Sequence, residues 1–229
     1  MLIVVANPHD GRGLSTCAIN LACELAEYNT HLTDRWRGKY SVILADADVE
    51  GTATRCCSGG HLPVSSDHGP TGDPKEIARW IQRMRLVREE VDYVVVDGPS
   101  HFGTALQGIV GICDLVIVPC SVADSVKLLP MIETIKEVRS SRSDSGPKCL
   151  FVPICGDGGL VAEKELSTAL IRFGEPVGPV IHQSADFAKA FNTGQWIGTF
   201  APDSAAYGDI KALAANAKEI LTLAGLDLR

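Results

Sequence analysis

MLIVVANPHDGRGLST, residues 1–16, joins an apolar run to a turn that contains two glycines. The apolar run at 2–6 predicts a buried strand, and residues 16–27 place apolar side chains at helical spacing. A glycine turn lets backbone N–H groups converge, and a helix N-terminus adds partial positive charge. A strand, a glycine turn and a helix in this order therefore predict a phosphate-binding site at the start of the chain.

Strand-like and helix-like segments alternate along the rest of the chain. This alternation predicts an α/β fold, with a mostly parallel sheet and helices on both faces. Further strands are predicted at residues 40–45, 93–96, 115–119, 149–154 and 177–181. Helices are predicted at residues 73–90, 104–111, 124–139, 161–173, 185–192 and 204–224. Residues 51–74 are rich in Gly, Pro, Ser and Asp and are expected to form an irregular loop, or a loop with one short helix.

The composition excludes several classes of protein. The chain has 229 residues, 45 % hydrophobic and 21 % charged, without a linker or repeat, so residues 1–229 are expected to form a single domain. No apolar run approaches the roughly 20 residues that span a bilayer and no signal peptide is visible, which predicts a cytoplasmic protein. The net charge of −7 disfavours a strongly basic nucleic-acid-binding protein. Eight cysteines without zinc-like spacing are expected to be buried free thiols.

Acidic residues follow two of the predicted strands directly. Asp46 and Asp48 come after the strand at 40–45, and Asp97 comes after the strand at 93–96. The carboxyl ends of parallel strands face the ligand crevice of an α/β fold, and an aspartate there can hold Mg²⁺ through water. The alternative for Asp46 is an aspartate at the start of a loop that caps local backbone N–H groups.

The glycine turn resembles the deviant Walker A motif, KGGxGK[ST], of the ParA/MinD family of P-loop ATPases. Aligned without gaps, Gly11 and Gly13 match glycines of the motif, and Ser15 matches its Mg²⁺-binding hydroxyl. Residues 46–51 (DADVEG) resemble the DxDPQG motif of the family, and residues 94–100 (VVVDGPS) resemble its Walker B motif. The motifs keep their order over nearly the whole chain. The resemblance therefore implies a single-domain P-loop NTPase-like fold of the SIMIBI/ParA type.

The same resemblance implies a site for ATP or ADP with Mg²⁺. The loop contacts to the nucleotide would come from Gly11, Arg12, Gly13, Leu14, Ser15 and Thr16. Ser15 would bind Mg²⁺ directly and Asp97 through water, and Asp48 is a further candidate ligand. Asp46 stands where the family has an acidic residue linked to positioning the attacking water, which makes it the candidate catalytic residue.

Both lysines of the motif are replaced in this chain. His9 stands at the signature lysine, Asp10 at a glycine, and Leu14 at the phosphate lysine. Each lysine of the family makes a charge-assisted contact worth roughly 1.5–3 kcal/mol, which Leu14 cannot supply and a neutral histidine cannot replace. Arg12 is the cation that remains in the loop, either as a phosphate contact or as a solvated surface residue. Residues 153–155 lack the adenine-contacting asparagine of the family. We therefore expect weakened nucleotide binding and impaired or absent ATP hydrolysis.

Two roles follow from the resemblance and from its departures. The first is a DNA-segregation, plasmid-partition or plasmid-stability protein that works as a homodimer with a partner protein of a partition or transfer system. The second is a pseudo-ATPase scaffold or regulator, in conjugation or polar positioning, that acts through partner-protein contacts. ATP turnover that is lost in Asp46→Ala would favour the first role.

Two further interpretations concern other ligands. ParA proteins bind DNA without sequence preference through surface cations, and the densest basic run here is Arg79, Arg83, Arg85 and Arg88. The alternative is a solvated helix in which local glutamates balance these charges. Residues 11–13 (GRG) also resemble a dinucleotide-binding turn. Its third glycine would fall at Thr16, however, and Asp46 lies farther away than the usual ~20 residues.

Overall fold

The strands of this protein form one parallel sheet. The structure, a computed structural model, describes residues 1–7, 13–27, 41–70, 72–99, 103–121, 129–141, 146–156 and 159–225. The strands are β1 (Leu2–Val5), β2 (Val42–Asp46), β3 (Ser65–His68), β4 (Tyr93–Asp97), β5 (Leu115–Cys120), β6 (Lys148–Cys155) and β7 (Ile181–His182). They lie in the order β3-β2-β4-β1-β5-β6-β7, and every pair is parallel.

Helices connect these strands and cover both faces of the sheet. Within the described residues they are α1 (Leu14–Glu27), α2 (Thr52–Cys57), α3 (Pro74–Val87), α4 (Thr104–Val110), α5 (Leu129–Ser141), α6 (Gly159–Ile171), α7 (Ala185–Asn192), α8 (Ile197–Phe200) and α9 (Ala205–Leu223). The predicted α/β fold with a parallel sheet and helices on both faces is confirmed. Among the described residues, no helix is long and apolar enough to cross a membrane.

Strand β1 shows why an uninterrupted apolar run becomes a central strand. Successive side chains of a strand point to opposite faces, so the run supplies both halves of the core. Ile3 and Val5 pack in a cluster with residues of α1 and α9. Leu2 and Val4 pack in a second cluster with residues of α3, α4 and α5. The carboxyl end of β1 is therefore held between two helical layers.

The prediction for residues 51–74 was wrong in one respect. It included the short helix, now α2, but it missed β3, which pairs with β2 from Ile43 opposite Ser65 onward. The sequence of β3, SSDH, is polar and mostly exposed, so it lacks the apolar alternation that predicts a strand. Strand β3 forms instead because it pairs with β2 at the edge of the sheet. It is also held by a hydrogen bond that Trp80 Nε1 donates to Asp67 Oδ1 at 2.8 Å.

Smaller differences concern the second half of the chain. The strand predicted at 177–181 is reduced to a single bridge from Val177 to Phe151 and the short β7. Pro179 lies between them, and a proline has no N–H group to donate to a ladder. The short helix α8 was not predicted. The predicted start of the helix at 124–139 lies outside the described residues, and α5 is described from Leu129.

The cysteines are free thiols, and seven of the eight are buried. Burial raises the pKa of Cys17 to about 12 and the pKa of Cys56 to about 11. These thiols therefore stay protonated at neutral pH and pack as small apolar side chains, as the composition predicted.

Candidate functional site

Three strand ends and one helix start meet at the carboxyl edge of the sheet. Val5 of β1 is the register partner of Asp97 in β4, and Asp97 is the partner of Asp46 in β2. Helix α1 begins just beyond β1, where Gly13 has a φ of +81° and accepts the first helical bond from the Cys17 N–H at 2.8 Å. This positive φ is readily adopted only by glycine. The N-terminus of a 14-residue helix therefore opens next to two aspartates.

Asp97 is a fully buried carboxylate without a partner. Neither of its oxygens accepts a well-formed hydrogen bond from a described residue, although the Ser15 hydroxyl lies close enough to act on its pKa. Burial is the main cause that raises the pKa of Asp97 to about 7. Hydrogen bonding by the Ser15 hydroxyl works against this shift, and the charges of Asp46 and Asp48 add to it. Buried polar groups in native proteins are nearly always paired. An unpaired carboxylate beside a hydroxyl suits a hard cation such as Mg²⁺.

Gly98 explains how Asp97 comes so close to β1. A Cβ atom on Gly98 would lie 2.6 Å from the carbonyl oxygen of Val5 and 2.8 Å from Cβ of Ala6. Its N–H donates to the same Val5 oxygen at 2.9 Å. Only glycine allows this approach, so the Asp97-Gly98 pair places the carboxylate against the end of the central strand.

Asp46 is equally buried, but both of its oxygens are satisfied. Oδ1 accepts from the N–H of Asp48 at 3.1 Å, and Oδ2 accepts from the N–H of Thr54 at 2.7 Å. The second bond reaches the first turn of α2, whose N-cap residue, Gly51, has no side chain to cap it. These contacts are the ones expected from an aspartate that caps local backbone N–H groups. Asp46 therefore holds the loop between β2 and α2.

The residues of the glycine turn fall into three groups. Gly11 and Arg12, together with His9 and Asp10, lie outside the described residues. Ser15 and Thr16 are partly exposed on the first turn of α1. Leu14 is only 3 % exposed and packs in the cluster that contains Ile3 and Val5. At the position of the phosphate lysine, this chain thus directs an apolar side chain into the core.

A cavity of about 710 Å³ lies beside this edge, between the start of α1, the ends of β6 and β7, and α7. Its apolar lining includes Ile154, Ile181, Phe187 and Phe191. Its polar lining includes Thr16, Thr52, His182, Gln183, Ser184 and Asn192. No lysine or arginine is found among the described residues of its lining. The volume is typical of small-molecule sites, and the mixture of apolar walls with a few polar groups suits a nucleoside.

The sequence did not single out the β7 end of the cavity wall. His182, Gln183 and Ser184 carry no motif, and they reach the cavity only because β7 pairs with the end of β6. The Mg²⁺ ligands that the resemblance implied are Ser15, Asp97 through water and, as a further candidate, Asp48. Within the described ranges, no three His, Cys, Asp or Glu residues converge as a metal-binding set. A Mg²⁺ ion here would need ligands from water or from a phosphate.

The four arginines of the predicted basic helix do not act as one surface. Arg88 donates to both carboxylate oxygens of Asp114, at 2.8 and 2.9 Å, and is only partly exposed. Asp114 also accepts from the N–H of Leu2 at 2.7 Å, so this pair joins α3 to the start of the sheet. Arg83 pairs with Asp67 of β3. Arg79 and Arg85 are the exposed members without such a pair in the described structure.

The strand order distinguishes two nucleotide-binding folds. In a dinucleotide-binding Rossmann fold, the second strand lies directly beside the first. Here β4 lies between β1 and β2, so Asp46 is one strand further from the glycine turn. This order separates the chain from the Rossmann arrangement that GRG at residues 11–13 suggested.

Comparisons with known proteins agree with that conclusion. No protein-family model matches the chain, and no curated protein sequence matches it either. Solved structures do match. A ParA family ATPase from Chlorobium tepidum has a TM-score of 0.69 at 13 % identity, over 93 % of this chain and 97 % of that chain. The MinC:MinD cell division protein complex of Aquifex aeolicus gives 0.73 at 14 % identity, over 95 % and 96 %.

A third match has a different activity. Cobyrinic acid a,c-diamide synthase from Mycobacterium smegmatis, with bound ADP and magnesium, has a TM-score of 0.69 at 15 % identity, over 98 % of this chain and 96 % of that chain. At these identities the likeness establishes the fold. The chain therefore has the fold of the ParA/MinD type of P-loop ATPases, as its motifs suggested, and the same fold serves more than one function.

Proposed function

We propose that this protein is a divergent ParA/MinD-type protein that binds an adenine nucleotide with Mg²⁺ weakly at the carboxyl edge of its sheet. Its role is in DNA segregation, plasmid partition or plasmid stability, with ATP hydrolysis impaired or absent. The observation that carries this proposal is Asp97, a buried carboxylate without a partner, beside Ser15 at the start of α1. Buried carboxylates are nearly always paired, so a carboxylate and a hydroxyl at the start of a helix support a magnesium site here.

The Mg²⁺ fits the residues that are present. Ser15 would ligate it through its hydroxyl and Asp97 through water, with Asp48 close enough to influence the charge of Asp97. When bound, the ion would neutralise phosphate charge and orient the phosphate chain. The backbone N–H groups at the start of α1 would face the same phosphates. The nucleoside would occupy the adjacent cavity, between Phe187 and the polar group of Thr16.

Weak binding follows from what these residues lack. Leu14 contributes to the core and supplies no positive charge. No cation is found among the described residues of the cavity lining. Asp46 would orient an attacking water only with the lone pairs that its two backbone bonds leave free. Fast hydrolysis needs charge stabilisation that this arrangement does not provide.

A second candidate function is a scaffold or regulator without a nucleotide switch. The burial of Leu14 favours it, because this position has become part of the apolar core. On this proposal, the protein would act as a homodimer or through a partner protein, as MinD does in the MinC:MinD complex. Arg79 and Arg85 are the two arginines of α3 available for non-specific contact with DNA phosphates.

The first test is calorimetric titration of ATP with Mg²⁺ into the wild type, Ser15→Ala and the matched control Ser167→Ala, a partly exposed serine on α6. We expect the wild type and Ser167→Ala to bind equally, at micromolar to millimolar concentration. We expect Ser15→Ala to bind at least about tenfold more weakly, because it loses a magnesium ligand. Equal binding by the wild type and both variants would rule out the proposed magnesium site.

A second test uses Leu14→Lys, with Leu14→Met as a control for side-chain shape. If the pocket is retained, the lysine restores tight ATP binding, whereas the methionine behaves as the wild type. Absence of binding by the wild type, with recovery in Leu14→Lys, would favour the scaffold. Absence of binding by all three folded variants would exclude the nucleotide switch. Circular dichroism checks the fold, since Leu14→Lys places an ammonium group at a buried position.

A further inference from the structure

Three elements meet at one histidine on the wall of the cavity. Nδ1 of His182 lies 2.9 Å from Oδ2 of Asp209 on α9, and Nε2 lies 3.2 Å from Oε1 of Glu163 on α6. The backbone N–H of His182 donates to the same Asp209 oxygen at 2.9 Å. We call His182, Asp209 and Glu163 the His182 bracket. It joins β7 to a helix on each side.

The chemistry of imidazole sets the state in which this bracket is complete. A neutral imidazole has one N–H group, so it donates to one carboxylate and turns a lone pair toward the other. Donation to both requires the imidazolium. The hydrogen bond to Asp209 is the main cause that raises the pKa of His182, and Glu163 raises it further, against a smaller effect of burial. Cys155, the register partner of His182, has its own pKa raised by burial and by Glu163, so it remains a neutral thiol.

The bracket adjoins the wall that a ligand would contact. Gln183 and Ser184, the next two residues, line the cavity with His182. The N–H of Gln183 donates to the Cys155 carbonyl at 2.8 Å. A Cβ atom on Gly156 would lie 3.0 Å from Oε1 of Gln183, so glycine leaves room for this amide. The Ser184 side chain then caps α7. Movement at β7 would therefore reach the cavity wall directly.

We propose that His182 is a positioning residue of the cavity, which holds the wall formed by Gln183 and Ser184 through its simultaneous contacts with Glu163 and Asp209. The ligand in the test below rests on the proposed function, since it is an adenine nucleotide. The two arms of the bracket are not equivalent. Asp209 keeps the backbone bond and the shorter ring contact. When the imidazolium loses a proton, the hydrogen bond from Nε2 to Glu163 is therefore the one that is lost, and β7 is no longer held to α6 through it.

The pH dependence has a definite sign. Because the folded-state pKa of His182 lies above 6.5, the stabilisation from the bracket is complete below pH 6.5. It is lost as the pH rises through the folded-state pKa. Ligand affinity should fall over the same interval.

The experiment measures binding of a fluorescent ADP analogue with Mg²⁺ at pH 6.0 and 8.5. The variants are the wild type, His182→Gln, Glu163→Gln and the control His61→Gln, an exposed histidine outside the bracket. The terminal phosphate of ADP also titrates, which changes the affinity of every protein with pH. The readout is therefore the difference in pH dependence between the proteins. We expect wild type and His61→Gln to lose about two- to fivefold more affinity than His182→Gln and Glu163→Gln on going to pH 8.5. Equal pH profiles in all four proteins would overturn the proposal.

A measurement without nucleotide separates the bracket from the proposed function. NMR titration of the His182 ring should give a pKa above 6.5, which returns to about 6.5 in the double variant Glu163→Gln, Asp209→Asn. Hydrogen exchange should show lower protection of the Gln183 amide once His182 has lost its proton, in the wild type only. If the wild type binds no nucleotide but these two results hold, the proposed function fails and the bracket stands. A His182 pKa at or below 6.5, or unchanged protection at Gln183, would overturn the bracket.

Discussion

Asp46 and Asp97 end neighbouring parallel strands, are register partners, and are both fully buried. Their surroundings nevertheless differ completely. Both oxygens of Asp46 accept backbone N–H groups, whereas neither oxygen of Asp97 accepts a well-formed hydrogen bond from a described residue. A buried carboxylate that accepts hydrogen bonds stabilises the fold around it. A buried carboxylate without them destabilises the fold, unless a ligand binds to it. The difference assigns a structural role to Asp46 and suggests a ligand-binding role for Asp97.

The largest effect on stability is expected from Gly98→Ala. The added methyl group prevents the close contact between Gly98 and the end of β1 that positions Asp97. The added Cβ would meet the Val5 oxygen at 2.6 Å, so β1 and β4 must separate. We expect the free energy of unfolding to fall by about 3 kcal/mol, measured by urea denaturation. The control is Gly208→Ala in α9, where a Cβ meets no atom within 4 Å and helix propensity should raise stability by about 0.5–1 kcal/mol. Equal effects of the two substitutions would contradict this account of Gly98.

Asp46→Ala tests the satisfied carboxylate. It leaves the N–H groups of Asp48 and Thr54 without their acceptor, next to the first turn of α2. We expect a loss of about 2–3 kcal/mol in the free energy of unfolding, again by urea denaturation. The exposed Asp203→Asn serves as control and should change stability by less than about 0.5 kcal/mol. An Asp46→Ala protein as stable as the wild type would mean that water replaces both bonds.

Asp97→Asn should raise the free energy of unfolding, whereas Asp46→Ala should lower it. Burial raises the folded-state pKa of Asp97 from 3.8 to about 7, so the folded protein loses stability as the pH rises through this interval. The asparagine does not ionise, and we expect it to stabilise the ligand-free protein by about 1–2 kcal/mol at pH 8. The gain should shrink progressively toward pH 4. Denaturation at pH 5, 6, 7 and 8 measures it, and a pH-independent difference would contradict the raised pKa.

Ser15→Ala gives the smallest change in stability. Its hydroxyl favours the charged form of Asp97, so its removal should raise the pKa of that carboxyl further. Without a ligand, we expect stability within about 0.5 kcal/mol of the wild type at pH 5, and a slightly larger loss at pH 8. The same denaturation series provides the measurement. A loss at pH 5 as large as that at pH 8 would indicate that Ser15 acts on packing instead.

Much of the fold could be predicted from local pattern. Apolar runs such as 2–6 and 93–96 became the central strands. Asp97 was expected at the carboxyl end of the run at 93–96, and Asp46 at the end of the run at 40–45. Strand β3 could not be predicted, because SSDH becomes a strand only through its pairing with β2. The wall from His182 to Ser184 was also missed, since it reaches the cavity through the β6–β7 register. Arg88 looked available on the helix, whereas Asp114, distant in sequence, engages it.

The sequence by itself determined the alternation of strands and helices, the glycine turn before α1, and the presence of histidine and leucine, not lysine, at residues 9 and 14. These are properties of residue type and of spacing over a few positions. Only the tertiary structure decided that Leu14 belongs to the core, that Asp46 is satisfied and that Asp97 is not. The physical reason is that the hydrogen-bond partners of a buried group come from neighbouring strands and loops. Their distance in the sequence carries no information about their distance in space.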